Sequence, residues 1–122
     1  MEFADVNAEL VNIHNCLPMI KITFGDQLVW HCKASEAYKE VLDYVLFRNN
    51  EIHHLIINGI YHKNNVKNVW GTLCCSVNRQ KQTGSISIQG TQYVECTRQD
   101  IDLLVTRIQN LLIQTLTSKV WD

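Results

Sequence analysis

The stretch MIKITFGDQLVWHC, residues 19–32, alternates apolar and polar side chains on both sides of a polar centre, which predicts a β-hairpin. A tight two-residue turn would send the apolar residues of the two strands to opposite faces. A longer loop over residues 25–27 keeps them on one face and pairs Phe24 with Leu28, Ile22 with Trp30 and Ile20 with Cys32. We therefore predict the longer loop and a hairpin with one apolar face, which needs a core to pack on.

Segments with helical periodicity flank this hairpin. Residues 4–16 place apolar side chains three and four positions apart, with Asp5 as a helix cap, and they predict an N-terminal helix that Pro18 ends. Residues 34–50 predict a middle amphipathic helix. Its apolar stripe is Ala37, Tyr38, Val41, Leu42 and Val45.

The second half of the chain begins with predicted strands. In EIHHLIINGIYHK, residues 51–63, the Asn58-Gly59 pair between β-branched residues predicts a tight type I′ hairpin. Residues 66–78 and 85–96 predict three further strands, separated by polar and glycine-containing turns.

A long helix closes the chain. Thr97 and Asp100 form a capping-box pattern that opens a helix extending to Val120. The whole pattern predicts one α+β domain over residues 1–122, with an antiparallel sheet of about five to seven strands and an N-terminal, a middle and a long C-terminal helix packed on it. This order of elements is similar to that of small profilin-like modules of the roadblock or longin kind, a resemblance that implies a dimerising scaffold.

Composition limits the possible functions. The 122 residues carry a net charge of −1, and the sequence pI of about 6.5 gives the chain no strong attraction to nucleic acid or to membranes. No apolar run approaches the roughly 20 residues of a membrane span, and the acidic N-terminus is unlike a signal peptide. Five cysteines cannot all pair within one chain, so free thiols and an intracellular location, cytoplasm or nucleus, are expected.

Adjacent Cys74 and Cys75 raise the question of a thiol or metal site. Strand alternation points their side chains to opposite faces, so they cannot bind one ion without a bulge. The second predicted hairpin would place His53 diagonally opposite His62, but two imidazoles make at most half of a zinc site. The sequence also lacks CxxC, HExxH and glycine-rich phosphate motifs. We predict no catalytic residue, no metal and no cofactor, with a small thiol- or metal-dependent enzyme as an alternative.

A basic segment with interspersed aromatic residues supports nucleic-acid binding as another alternative. Lysine and arginine contact phosphates, and flat rings stack on unpaired bases. The hairpin tip around residues 79–81 would carry cations to a phosphate backbone. The predicted contacts are Lys67, Arg79, Lys81, Tyr93 and Arg98.

Apolar residues outside the predicted core favour a protein-interaction function. The C-terminal helix carries apolar residues off its main stripe, where one sheet cannot cover them, and Trp70 lies on the more polar face of its strand. The predicted interface residues are Leu103, Ile113, Trp121 and Trp70. We expect a non-enzymatic interaction or adaptor module that forms a homo-oligomer or binds a protein partner through this helix and an aromatic sheet face.

Overall fold

The structure, a computed structural model, describes residues 1–12, 18–26, 28–47, 52–64 and 67–121, with side chains except those of Asn12, Phe47 and residues 116–121. A short 3₁₀ turn, Phe3–Asp5, comes first. The strands are β1 (Val6–Asn12), β2 (Pro18–Phe24), β3 (Leu28–Lys33), β4 (Ile52–Lys63), β5 (Val69–Asn78), β6 (Thr83–Ile88) and β7 (Thr91–Thr97). The helices are α1 (Ala34–Phe47), between β3 and β4, and α2 (Arg98–Trp121), after β7. No helix in these ranges is long and apolar enough to cross a membrane.

All seven strands form one antiparallel sheet, in which each strand lies beside the next one in the chain. The predicted antiparallel α+β class is therefore confirmed. The register between β2 and β3 is also the predicted one, with Phe24 opposite Leu28, Ile22 opposite Trp30 and Ile20 opposite Cys32. Each of these side chains is buried, because a common face lets the hairpin contribute all of them to one core.

The predicted N-terminal helix is wrong, because the segment forms strand β1 and pairs with β2 along its whole length. The same residues fit a period of two: Ala8 is buried, and Val6 and Leu10 pack against the core. As a strand, the segment supplies hydrogen-bond partners for backbone N–H and C=O groups of β2, which a helix would leave unpaired. Residues 13–16 of the predicted helix lie outside the described residues. The described ranges thus contain two α-helices and a 3₁₀ turn rather than three helices.

Helix α1 confirms the predicted middle helix, but its buried side is rotated from the predicted stripe. Tyr38 and Leu42 are 51% and 49% exposed. Tyr44 takes their place in the core because its hydroxyl donates to Asp102 of α2 at 2.9 Å, which satisfies the polar end of a buried ring. Among the side chains of α1 that the structure describes, the buried ones are Ala34, Ala37, Val41 and Tyr44.

The predicted hairpin at Asn58-Gly59 is wrong, because β4 continues through both residues. Gly59 lies opposite Gly71 of β5, and the indole of Trp30 lies over Gly59. The Trp30 Nε1–H donates to the carbonyl of Gly71 at 2.9 Å. A Cβ on Gly59 would lie 2.6 Å from Trp30 ring atoms, so this position needs glycine for space rather than for a turn.

Helix α2 confirms the predicted C-terminal helix and its cap. The Thr97 N–H donates to Asp100 Oδ2 at 3.1 Å, and the Asp100 N–H donates to Thr97 Oγ1 at 3.2 Å. The main apolar stripe of α2 is buried through residue 112 and consists of Ile101, Leu104, Val105, Ile108, Leu111 and Leu112. Both helices pack on the same face of the sheet, and α2 contacts strands near both ends of the strand order, β1 and β7. The sheet therefore curls around α2.

Candidate interaction surface and polar cleft

Strand β5 presents one large aromatic side chain to solvent. Its inward-facing residues are buried against the helices, whereas Trp70 lies on the opposite face and is 76% exposed. We call the face of the sheet that points away from α1 and α2 the outer face. Ile60 of β4, directly opposite Trp70, is half-buried, and Ile56 further along β4 is 48% exposed. Between Ile60 and Ile56, Asn58 lies opposite Thr72 of β5 and accepts a hydrogen bond from its hydroxyl, so the apolar surface on these two strands centres on Trp70 and Ile60.

A groove of about 280 Å³ lies beside Trp70, where β3 separates from β4. The last paired residues of these strands are His31 and Ile60, and the two remaining residues of β3 pair only with β2 before α1 begins at Ala34. Met19 of β2 also lines the groove. We call Trp70, Ile60, His31 and Met19, together with the groove, the Trp70 patch. Lys33 and Glu36, which also line the groove, add one charge of each sign.

The apolar residues predicted on α2 lie away from the Trp70 patch. Leu103 and Ile113 are 62% and 54% exposed, and exposed polar residues such as Thr106 and Asn110 lie between them along the helix. Since α2 packs on the inner face of the sheet, the structure does not bring these residues together with Trp70. The side chain of Trp121 lies outside the described residues. The two halves of the predicted interface are therefore separate surfaces.

A second feature is a cleft of about 380 Å³ between α1, α2 and the turn after β5, which we call the polar cleft. Tyr44 Oη donates to Asp102 Oδ1, and Arg98 Nη1 donates to Oδ2 of the same carboxylate, both at 2.9 Å. Arg79 also approaches Asp102, with 3.7 Å between Nη2 and Oδ1. Burial and the hydrogen bond to Asp102 raise the pKa of Tyr44, so its hydroxyl remains a donor at neutral pH.

The turn between β5 and β6 holds the two arginines in place. Gln82 accepts a hydrogen bond from Arg98 Nε at 2.7 Å, and its side-chain amide donates to the carbonyl of Arg79. The first turn of α2 adds the pair of Arg98 and Asp102 four residues apart, the spacing that brings side chains together on a helix. That spacing is visible in the sequence, but it does not predict the cleft, because Tyr44 comes from α1, far from Asp102 in the chain.

The predicted nucleic-acid contacts fall into two groups at opposite ends of the strands. Arg79 and Arg98 line the polar cleft, and Lys81 is exposed in the adjoining turn. Tyr93 lies at the other end, half-buried, with its ring centroid 6.4 Å from that of Phe24. Lys67, which is exposed, precedes β5 at that same end. These residues do not form one continuous basic and aromatic surface.

The cysteines occupy separate environments. Cys75 is fully buried and Cys74 is half-buried on the other face of β5, as strand alternation predicts. Burial raises the pKa of the Cys75 thiol. It also raises the pKa of Cys32 to about 12 and that of Cys96 to about 11. At neutral pH these thiols are protonated, and the thiolate is the nucleophilic form.

The histidines predicted to face each other do not do so. His53 and His62 lie on the same strand, since β4 has no turn at its centre. His53 Nε2 donates to the carbonyl of Tyr44 at 3.1 Å, and burial lowers the pKa of His53. Within the described residues, no group of three or more His, Cys, Asp or Glu side chains is close enough to hold a metal ion.

Thiol labelling is expected to separate these cysteines. A Cys16→Ser background removes the cysteine outside the described residues. At pH 8, iodoacetamide should then modify Cys74 first, while Cys32 and Cys75 react at least about a hundredfold more slowly than in urea. Peptide mass spectrometry over time measures each rate, and rapid modification of Cys75 in folded protein would contradict its place in the core.

No family model, curated protein or solved structure matches this chain. The resemblance to roadblock and longin modules rested on the predicted order of elements. The observed order has three strands before the first helix, so the N-terminal part of that resemblance is lost.

Proposed function

We propose that this protein is a non-enzymatic interaction module that self-associates through the Trp70 patch. The observation that carries the proposal is the 76% exposure of Trp70 beside an apolar groove on the outer face of the sheet. A tryptophan side chain buries roughly 150–250 Å² when it is covered, and tryptophan is enriched among the residues that dominate binding energy. Leaving such a residue in water forgoes that stabilisation.

A second copy of the chain is the occupant that the patch fits. Trp70 lies against the groove, so a two-fold contact can place the indole of each copy at the groove of the other. Each copy also carries Lys33 and Glu36 among the lining residues, and a two-fold axis can pair opposite charges across the contact. The outer face thus has an apolar centre and charged groups beside it, the usual composition of a protein interface.

Replacing Trp70 with aspartate is expected to weaken self-association at least about thirtyfold, which corresponds to roughly 2 kcal/mol. The substitution removes the largest apolar side chain of the patch and puts a charge where water must be excluded. Sedimentation velocity over a range of protein concentrations measures the dissociation constant. A circular dichroism spectrum of the variant checks that its fold is retained.

Leu103→Asp is the matched control, because it makes the same replacement at an exposed apolar residue on the other side of the molecule. Its dissociation constant is expected to equal that of the wild type. A wild-type protein that stays monomeric at all concentrations would overturn the proposal. Dissociation caused by Leu103→Asp and not by Trp70→Asp would move the contact to α2.

The two alternatives have less support. Nucleic-acid binding relied on Arg79, Arg98 and Tyr93 acting on one surface, and the strands hold Tyr93 at the far end from the arginines. A thiol-dependent enzyme needs a thiolate near neutral pH, and burial raises the pKa of Cys32, Cys75 and Cys96. Neither alternative uses the groove beside Trp70.

A further inference from the structure

The polar cleft has an excess of positive charge. Of the residues that line it, Arg79 and Arg98 are cationic and Asp102 is the one carboxylate, so the described lining carries a net charge of +1. Burial, together with the Arg79 guanidinium, lowers the pKa of His53, which is therefore neutral at pH 7 and does not change this balance. Tyr44 adds a neutral donor that Asp102 already accepts.

Arg79 is the residue whose interactions are incomplete. Its side chain is only 18% exposed, and its Nε and Nη2 atoms are buried without a hydrogen bond among the described residues. The distance of 3.7 Å from Nη2 to Asp102 Oδ1 gives an ion pair without hydrogen-bond contact. Asp102 accepts its short hydrogen bonds from Tyr44 and Arg98. Burying a guanidinium with unused donors is costly unless an acceptor is supplied.

The shape of the cleft indicates what an acceptor would be attached to. Its volume of about 380 Å³ is lined by the arginines and Gln109 and also by the apolar side chains of Val45 and Val105. Guanidinium groups bind phosphate through paired, charge-assisted hydrogen bonds. The valines offer contact to an organic group attached to that phosphate.

We propose that the polar cleft binds the phosphate group of a small organic ligand, with Arg79 as the main contact and Arg98 as the second. Because Nε and Nη2 of Arg79 are buried, the guanidinium turns toward the cleft when the ligand supplies acceptors for them, and the ligand neutralises the remaining positive charge. The hydrogen bonds that Asp102 accepts keep Tyr44 and Arg98 in position. The site lies on the inner side of the sheet, so it is independent of the contact proposed for the Trp70 patch.

Binding can be observed at the arginines themselves. In ¹⁵N-labelled full-length protein at constant ionic strength, phenyl phosphate is expected to shift the Nε–Hε resonances of Arg79 and Arg98, and chloride is not. Inorganic phosphate should bind at the same residues but several-fold more weakly, because it makes no contact with the valines. Benzoate distinguishes a site for phosphate from one for carboxylate.

Charge variants give the matched test. Gln109→Glu adds an anion to the lining and should raise the dissociation constant for phenyl phosphate about tenfold. Asn110→Glu adds the same charge at the next exposed position, which lies outside the lining, and should change the dissociation constant much less. Arg79→Lys removes the paired donors and should weaken phosphate binding. If Arg79→Lys does not fold, Gln109→Glu still tests the proposal. Equal effects of the two glutamates, or no shift with any phosphate, would overturn the proposal. Tighter binding of benzoate would assign the cleft to carboxylates, and binding of a single-stranded oligonucleotide but not of phenyl phosphate would assign it to nucleic acid.

Discussion

Replacing Gly59 with alanine is expected to lower the free energy of unfolding by about 3 kcal/mol, the upper end of the usual cost of overpacking a core. The added Cβ would lie 2.6 Å from two ring atoms of Trp30 and would also meet the backbone carbonyl of His31. Gly59 pairs with Gly71 of β5 and lies next to Ile60, the last residue of β4 that pairs with β3, so its backbone cannot shift without disturbing both pairings. Urea denaturation followed by circular dichroism measures the change.

Gly71→Ala is the informative companion variant, because the atoms that its Cβ would meet belong to the side chains of Tyr61 and Ile88. Its cost should fall when Tyr61 is shortened to alanine, whereas no side-chain truncation removes the clash of Gly59→Ala with the carbonyl of His31. If Gly59→Ala changed stability by less than about 0.5 kcal/mol, β4 could not lie against Trp30 as described.

Gly59 shows that a local sequence pattern can be overruled by a contact with a residue distant in the chain. The first hairpin was predicted with its register, because the apolar pattern and the loop lie within fourteen residues, 19–32. The Asn58-Gly59 pair carries an equally strong local signal for a turn, but its environment is set by Trp30, which is far away in the chain. The N-terminal segment fits both helical and strand periods, and pairing with β2 decides between them.

For the candidate site, too, the sequence predicts the features that depend on local pattern and not those that depend on distant contacts. Strand alternation was enough to place Trp70 on the outer face and Cys75 in the core. The separation of Trp70 from Leu103 depends on which face of the sheet α2 covers, and no local pattern contains that information. The polar cleft joins Tyr44 to Asp102 across 58 residues, and the rotation of α1 that buries Tyr44 depends on that contact.

Trp30 is the largest fully buried side chain in the part of the protein that the structure describes. Its ring fills the space over Gly59, and its N–H reaches the carbonyl of Gly71 on the next strand. The residue thereby ties β3 to both β4 and β5 beneath the outer face. The Trp70 patch lies on the other side of these same strands, so its shape depends on this packing.

Trp30→Ala is therefore expected to have the largest effect of any single truncation, a loss of about 4 kcal/mol in the free energy of unfolding. It creates a cavity and removes the hydrogen bond to Gly71, whereas Trp30→Phe keeps most of the ring and should cost about 2 kcal/mol. Urea denaturation of both variants at equal protein concentration separates the two contributions. Equal losses would mean that the hydrogen bond and not the packing dominates. A loss below about 1 kcal/mol for Trp30→Ala would show that the indole does not fill the core between β3, β4 and β5.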